Sequence, residues 1–291
     1  MPTLRDIRRR ITGVANTSKI TQAMKMVSAS KLRRAQEAIQ SARPYVLKLS
    51  DMLGNLVESV GEEYTHPLVQ KHNSVNNIAV IVVSSDRGLC GSFNTNIIKF
   101  VSNKLSETEK EVKLITIGKK ATDFFKKQKY QLIHSYDNIL GNLNAQIVND
   151  IVKNIIERYL KKEFDEVQII YNEFKSIAKQ NIVSERFLPL IVDDKHTDKS
   201  NAPMIDYIYE PSASEILNDL IPKQLNVHFL KTLLESNAAE HAARMTAMEI
   251  ATNNASDLMQ ILELFYNKAR QESITKELLE IVSGAEALKE S

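Results

Sequence analysis

Residues 223–283 read KQLNVHFLKTLLESNAAEHAARMTAMEIATNNASDLMQILELFYNKARQESITKELLEIVS, a run without proline or glycine. Pro222 stands just before it and Gly284 just after. Inside a helix, proline costs about 3 kcal/mol and glycine about 1 kcal/mol relative to alanine. Their joint absence predicts one helix across the stretch. At roughly 1.5 Å per residue that helix is about 90 Å long. A helix several times the average globular length is a coiled coil, a repeat or a shaft.

Ala238, His241, Met245, Met248, Thr252, Ala255, Met259, Leu262, Tyr266 and Ala269 recur at alternating steps of three and four. After Ala269 the apolar register slips by one, to Ile274, Leu278, Ile281, Ala285 and Leu288. Such a seam asks for a partner helix along its length. Between Ser236 and Ser256, alanine, serine, threonine and asparagine occupy nearly every face. Either close helix packing or plain helix propensity accounts for this.

The N-terminus supplies the partner. From Val14 to Arg43 there is again no proline or glycine. Leu4, Ile7, Ile11 and Val14 begin a stripe, Ile20, Met24 and Val27 resume it, and Ala35, Ala38, Ala42, Tyr45, Leu49, Met52 and Leu56 carry it on. A bend or break is expected at Gly13 and at Pro44. Two long helices at opposite ends of the chain predict an antiparallel coiled coil with an α/β domain inserted. The expected divisions are 1–60 for the N-terminal helix, 75–210 for a Rossmann-like domain and 212–291 for the C-terminal helix.

Charge is distributed unevenly along the 291 residues, although the net is only +2. Residues 1–48 hold eleven Lys or Arg against Asp6 and Glu37, a balance of +9. Residues 211–291 hold seven Lys or Arg against twelve Asp or Glu, a balance of −5. A basic helix beside an acidic one favours their pairing. The surplus positive charge faces solvent or an acidic partner, with an acidic protein favoured over nucleic acid because no aromatics interleave with the basic residues. A single cysteine, Cys90, excludes an internal disulfide and fits a reducing compartment. No apolar run approaches the roughly 18 residues of a membrane span.

Between the helices the period changes. Asn77 to Ser84 is a short β-branched run, as expected for a strand buried on both faces. Further strands are expected at Val112–Ile117, Tyr130–Ser135, Glu166–Phe174 and Glu185–Val192. Helices are expected at Phe93–Leu105, Lys119–Lys127 and Asn144–Lys162. This alternation implies a mainly parallel sheet with helices on both faces. The polar segment Asp193–Pro203 reads as an exposed loop. Ser212 and Glu215 have capping-box spacing before the last helix, where Pro222 marks a restart or kink.

No catalytic constellation stands out. The loop Ser85-Asp-Arg-Gly-Leu-Cys-Gly-Ser92 lacks both G-x-x-x-x-G-K-[ST] and G-x-G-x-x-G. An anion at the following helix N-terminus is one reading; a tight strand-to-helix turn with Ser92 as N-cap is preferred. Cys90 reads as a small buried residue rather than a nucleophile. The histidines show no metal-ligand spacing, and His241 reads as a packed seam residue.

Five stretches in three separated regions of the sequence resemble the gamma subunit of F-type ATP synthases. They are Ile7-Arg-Arg-Arg-Ile11 with Asn16-Thr-Ser-Lys-Ile-Thr-Gln-Ala-Met-Lys-Met-Val-Ser-Ala-Ser-Lys-Leu-Arg33, then Ser85 to Asn94, then Glu235 to Glu249 with Tyr266 to Gly284. The resemblance covers essentially the whole chain and implies a rotor. Its terminal helices would turn inside a ring of three alpha and three beta subunits. Its inserted domain would sit against the membrane c-ring and the epsilon subunit. It implies no catalytic site, no cofactor and no metal in this chain, the nucleotide chemistry belonging to beta. It also implies that Met24, Lys25, Arg33 and Arg34 face acidic loops of the beta subunits, and that Arg270, Gln271 and Thr275 meet a beta loop. Leu278, Ile281, Val282 and Leu288 would form the bearing at the tip, and Tyr207, Tyr209 and Glu210 would lie at the foot. The absence of a transit peptide suggests a bacterial protein, peripheral on the cytoplasmic face of the inner membrane. The alternative is a basic coiled-coil scaffold for nucleic acid.

Overall fold

The computed structural model describes residues 3–60, 66–70, 75–128, 130–190, 209–210 and 212–289, with Glu58 and 286–289 described by backbone alone. Helix α1 (Leu4–Val60) opens the chain and helix α5 (Ala213–Lys289) closes it. Between them lie β1 (Asn77–Val83), α2 (Phe93–Ser106), β2 (Glu111–Ile117), α3 (Lys119–Phe125), β3 (Gln131–Tyr136), α4 (Ala145–Leu160), β4 (Glu166–Phe174) and β5 (Gln180–Leu188). The chain divides into two compact units. One pairs Met1–Ser28 with Met245–Ser291, and the other is Ala29–Arg244. Both long helices therefore contribute to both units.

Neither proline inside these helices ends them. Pro44 lies within α1 and Pro222 within α5. The expected break at Pro44 and restart at Pro222 give way to continuous helix because burial on either side outweighs the local cost. Leu32, Ala35, Leu49 and Leu53 flank Pro44, and Leu217, Ile221 and Leu225 flank Pro222, all buried. Each buried leucine or isoleucine stabilises by about 1.5–3 kcal/mol, against about 3 kcal/mol lost at proline. Gly13 and Gly284 are also carried inside helix, each at about 1 kcal/mol. The start of α5 is capped by Ser212, whose Oγ accepts from Glu215 N at 3.3 Å.

In the α/β unit the sheet order is β3-β2-β1-β4-β5. β1 pairs in parallel with β2 and β4, β2 pairs in parallel with β3, and β5 runs antiparallel to β4. On one face α4, the second half of α1 and the first third of α5 pack around Ile81, Val83, Ile169 and Phe187. On the other, α2 and α3 pack around Val80, Val82, Leu114 and Ile170. β1 is buried on both sides, as its β-branched run requires. The fifth strand starts earlier than expected, at Gln180. A tight turn closed by Ser176–Lys179 hydrogen bonds joins it to β4, and Pro189 follows its last residue, where it donates nothing to a ladder. Val192 and the segment Asp193–Pro203 lie outside the described residues.

The carboxyl edge of the sheet is built by close backbone approach. Gly118 has φ +94, and a Cβ there would lie 2.1 Å from Ser84 O, so only glycine fits. Ser84 Oγ accepts from Ala121 N at 2.9 Å. Asp86 Oδ1 accepts from Lys119 N and Asn138 N, tying the loop after β1 to the loops after β2 and β3.

Candidate functional site

The terminal unit is an antiparallel helix pair. Thr21 Oγ1 lies 2.7 Å from Thr252 Oγ1, and Lys25 Nζ donates to Glu249 Oε1 at 2.6 Å. A step of four forward on α1 is a step of three back on α5, so the helices run in opposite directions. On α5 the expected seam is the observed one: Met248 and Ala255 are buried, and Met245, Thr252, Met259, Leu262, Tyr266 and Ala269 are half-buried. On α1 it is not. Ile20 and Val27, expected inside, are 60% and 57% exposed, and Thr21 and Ser28 are buried instead. Counting in threes and fours from Ile7, Ile11 and Val14 reaches Ser18, Thr21 and Ser28. The spacing was the better guide, and the apolarity of Ile20 and Val27 misled. Tyr45 and Met52, also expected inside, are exposed in the α/β unit, where Ala42, Val46, Leu49, Leu53 and Leu56 face inward.

Beyond Ala269 the expected slipped register has no helix opposite it among the described residues. Leu4, seventeen residues before Thr21, comes level with Ala269, seventeen after Thr252. From there α5 extends past the described part of α1 by some twenty residues, about 30 Å of single helix. Ile274, Leu278, Ile281 and Val282 are exposed there, Ile281 by 68%. Leu288 lies in the helix, with its side chain outside the described residues. The outer face of the paired region is also apolar, with Ile250, Leu258, Ile261, Leu264 and Phe265 exposed. Contiguous exposed apolar surface of this kind marks an interaction site.

Met24 is half-buried beside Lys25 in the terminal unit. Arg270, Gln271 and Thr275 are exposed about 30 Å farther along α5, a second station on the same unit. Arg33 and Arg34 belong to the other unit, both exposed; Arg33 Nε donates to Glu37 at 2.9 Å. Tyr209 packs at the rim of the first core and Glu210 is exposed. Tyr207 lies outside the described residues.

The loop after β1 is a turn, as preferred from sequence. Ser92 is the N-cap residue of α2 but makes no side-chain cap bond; its Oγ accepts from Asn96 instead. Ser85 N donates to Asn94 Oδ1 at 3.0 Å, and Ser85 Oγ accepts from Asn94 Nδ2 at 2.7 Å. Cys90 is buried with Phe93 against Ala239 of α5, and burial pushes its thiol pKa up, which suits an inert packed residue. Leu89 holds φ +63. Sequence reading attached no role to Arg244 or Glu240, which form a buried ion pair on α5. Their four-residue spacing was the available signal. His241 beside them is held neutral to about 4, first by burial and then by the charges of Arg244 and Lys31. Among the described residues no group of His, Cys, Asp and Glu could hold a metal ion, and no helix is long and apolar enough to cross a membrane.

A family model described as ATP synthase matches residues 3–288. The ATP synthase gamma chain of Chloroherpeton thalassium is 47% identical, with 100% of both chains covered. This chain belongs to the ATP synthase gamma-chain family. The gamma chain of Chlorobium phaeobacteroides is 46% identical over 99% of each chain. Among solved structures, a chain of the Euglena gracilis mitochondrial ATP synthase shares the fold at TM-score 0.67 and 23% identity, covering 98% of this chain and 94% of that one. A chain of the Tetrahymena thermophila mitochondrial ATP synthase central stalk and c-ring is similar at TM-score 0.62 and 25% identity, covering 80% of this chain and 99% of that one. Two of the stretches that carried the family resemblance, Ser85–Asn94 and Glu235–Glu249, meet in the α/β unit of this gamma-family chain, through Cys90, Phe93 and Ala239.

Proposed function

We propose that this chain is the central stalk of an F-type ATP synthase, carrying torque between the membrane rotor ring and the catalytic head. It is a non-catalytic subunit of that complex. The observation that carries the reading is the terminal unit: an antiparallel helix pair, continued by one bare helix, with exposed apolar residues on its outer face. A single folded chain gains nothing by leaving that face in water; a surrounding sleeve covers it. The pair is asymmetric by construction, since the seam uses Thr21 and Ser28 on α1 but Met248 and Ala255 on α5. A shaft whose faces differ presents a different surface to each identical partner. Such differential contact is what shifts each partner's equilibrium, since equal binding to all states shifts nothing.

The finer assignments belong to the same proposal. Three alpha and three beta subunits surround the terminal unit, and epsilon and the c-ring meet the α/β unit. The complex lies on the cytoplasmic face of a bacterial inner membrane, coupled to protons or sodium ions. Residues 1–60 and 212–291 act as the shaft and 75–210 as the foot. Met24, Lys25, Arg33, Arg34, Arg270, Gln271 and Thr275 face the beta subunits. Leu278, Ile281, Val282 and Leu288 turn in the apolar sleeve. Tyr207, Tyr209 and Glu210 lie toward the ring. The alternative, a nucleic-acid scaffold, draws no support from the relatives. The test is mild affinity purification of the tagged chain from solubilised membranes with stoichiometry by mass. Two ATP-binding subunits, each in threefold excess, are expected; recovery of the chain alone or with nucleic acid counts against the reading.

A further inference from the structure

Arg244 is the last residue of the α/β unit before α5 passes into the terminal pair. It is 8% exposed. Its Nη1 donates to Glu240 Oε1 one turn back and lies 3.4 Å from His241 Nδ1. Its Nη2 donates to the backbone carbonyls of Arg87 at 3.2 Å and Gly88 at 3.3 Å. Those carbonyls belong to the turn after β1, at the carboxyl edge of the sheet. The turn is stiffened from within, because Ser85 Oγ donates to Arg87 O at 2.6 Å and Asn94 closes back on Ser85.

The apolar grip of the sheet on α5 weakens toward this end. From Leu217 to Leu233 the helix is held by large buried side chains, Phe229 among them. Near the turn it offers Ala239 and Ala243 to Cys90 and Phe93. Alanine buries little apolar area, so it contributes little hydrophobic adhesion. The directional bonds of one guanidinium stand where that adhesion runs out. Arginine suits the place because its planar fork serves a carboxylate and two carbonyls at once, which a lysine ammonium does not.

We infer that Glu240 and Arg244 form a torsional latch, fastening the β1–α2 turn to α5 where the helix leaves the α/β body. The inference rests on the reading of this chain as the turning stalk. Arg244 is a positioning residue: it bonds to Glu240 and to two main-chain carbonyls, and it acts by keeping the body and the helix in step. Its acceptors on the turn are main-chain carbonyls, so substituting side chains of the turn leaves them in place, and the latch is tested from the helix side.

The experiment uses the assembled complex with its head fixed to a surface, a probe on the rotor, and rotation stalled by bound ADP. The angular variance of the probe reports torsional compliance. R244K is expected to raise that variance roughly twofold and E240Q to raise it less, with unloaded ATP hydrolysis at the wild-type rate. Amide exchange at Leu89 and Cys90 in the same complexes is expected to quicken several-fold as the turn loosens. Wild-type variance and exchange in both variants overturns the latch. So does a rise in variance that only tracks a loss of unloaded hydrolysis, which is general damage. A wild-type chain that does not assemble with a rotating head overturns the stalk reading itself, and with it the latch.

Discussion

Thr21 and Thr252 meet hydroxyl to hydroxyl, 2.7 Å apart, across the terminal helix pair. Each also lies within bonding distance of a carbonyl of its own helix, Ser18 O at 3.0 Å and Met248 O at 2.7 Å. A hydroxyl has one proton to give. One threonine therefore donates across the pair while the other donates back into its helix. A polar contact at a seam position fixes register in a way that interchangeable aliphatics do not. T21V and T252V are each expected to destabilise the chain by about 1 kcal/mol, the usual net worth of one such bond. The double variant should cost less than the two together, by about 0.5–1 kcal/mol. Urea unfolding of the four chains, followed by helical circular dichroism, checks this; strict additivity would show that the hydroxyls do not interact.

Lys25 is bound to Glu249 within the chain, yet the proposed function gives it an external role toward the head. The two are separable. The pair is exposed by 38% and 48%, and at such exposure a salt bridge contributes about 0–1 kcal/mol. Reversal to Glu places two carboxylates side by side, and the swap K25E/E249K restores the internal pair with its polarity reversed. Stability is expected to fall slightly in K25E and to recover in the swap. The ratio of ions pumped to ATP hydrolysed is expected to fall in K25E and to stay low in the swap. Recovery of the ratio in the swap would reduce Lys25 to an internal partner.

The bare end of α5 separates folding from assembly. Leu278 and Ile281 are 58% and 68% exposed, so neither contributes to a core within the chain. The substitutions L278N and I281N are expected to change the stability of the isolated chain by no more than about 0.5 kcal/mol. The yield of complex with the head should fall several-fold, since each polar amide must be desolvated in an apolar sleeve. A loss of chain stability equal to that of a buried leucine would place these residues in an internal contact.

The architecture was legible where one element's pattern sufficed. The run from Asn77 to Ser84 announced a strand buried on both faces, and the threes and fours from Ala238 to Ala269 announced a seam. Errors arose where the outcome depended on what stood opposite. Ile274, Leu278 and Ile281 continue an apolar stripe, but the described part of α1 ends level with Ala269, so the stripe is open. Ile20 and Val27 are more apolar than Thr21 and Ser28, yet helix geometry, which sets the facing side, turns the hydroxyl residues inward. Pro44 and Pro222 were read by their local cost, which burial of distant leucines overrides. The partnership of Arg244 with the carbonyls of Arg87 and Gly88 spans more than 150 positions and leaves no local trace.

His241 gives the α/β unit a pH dependence of predictable sign. Burial, then Arg244 and Lys31, hold its pKa down to about 4, against 6.5 for a free imidazole. Between those values the unfolded chain carries a proton that the folded chain refuses. Stability from this group is fully present above about pH 6.5 and is lost as pH falls toward 4. The neighbouring Glu240 works in the opposite direction, because burial raises its pKa and its ionised form is penalised as pH rises. Glu185, held low first by its bond from His228, loses its contribution only below the ordinary carboxylate range. The contribution of His241 is therefore read as a difference between wild type and H241Q, from pH 7.5 to pH 5. Glutamine keeps an amide in the place of the ring and does not titrate. The stability advantage of wild type over H241Q is expected to shrink steadily below pH 6.5, measured as the urea midpoint at each pH. Parallel curves over that range would mean that His241 takes its proton in the folded chain as readily as in the unfolded one.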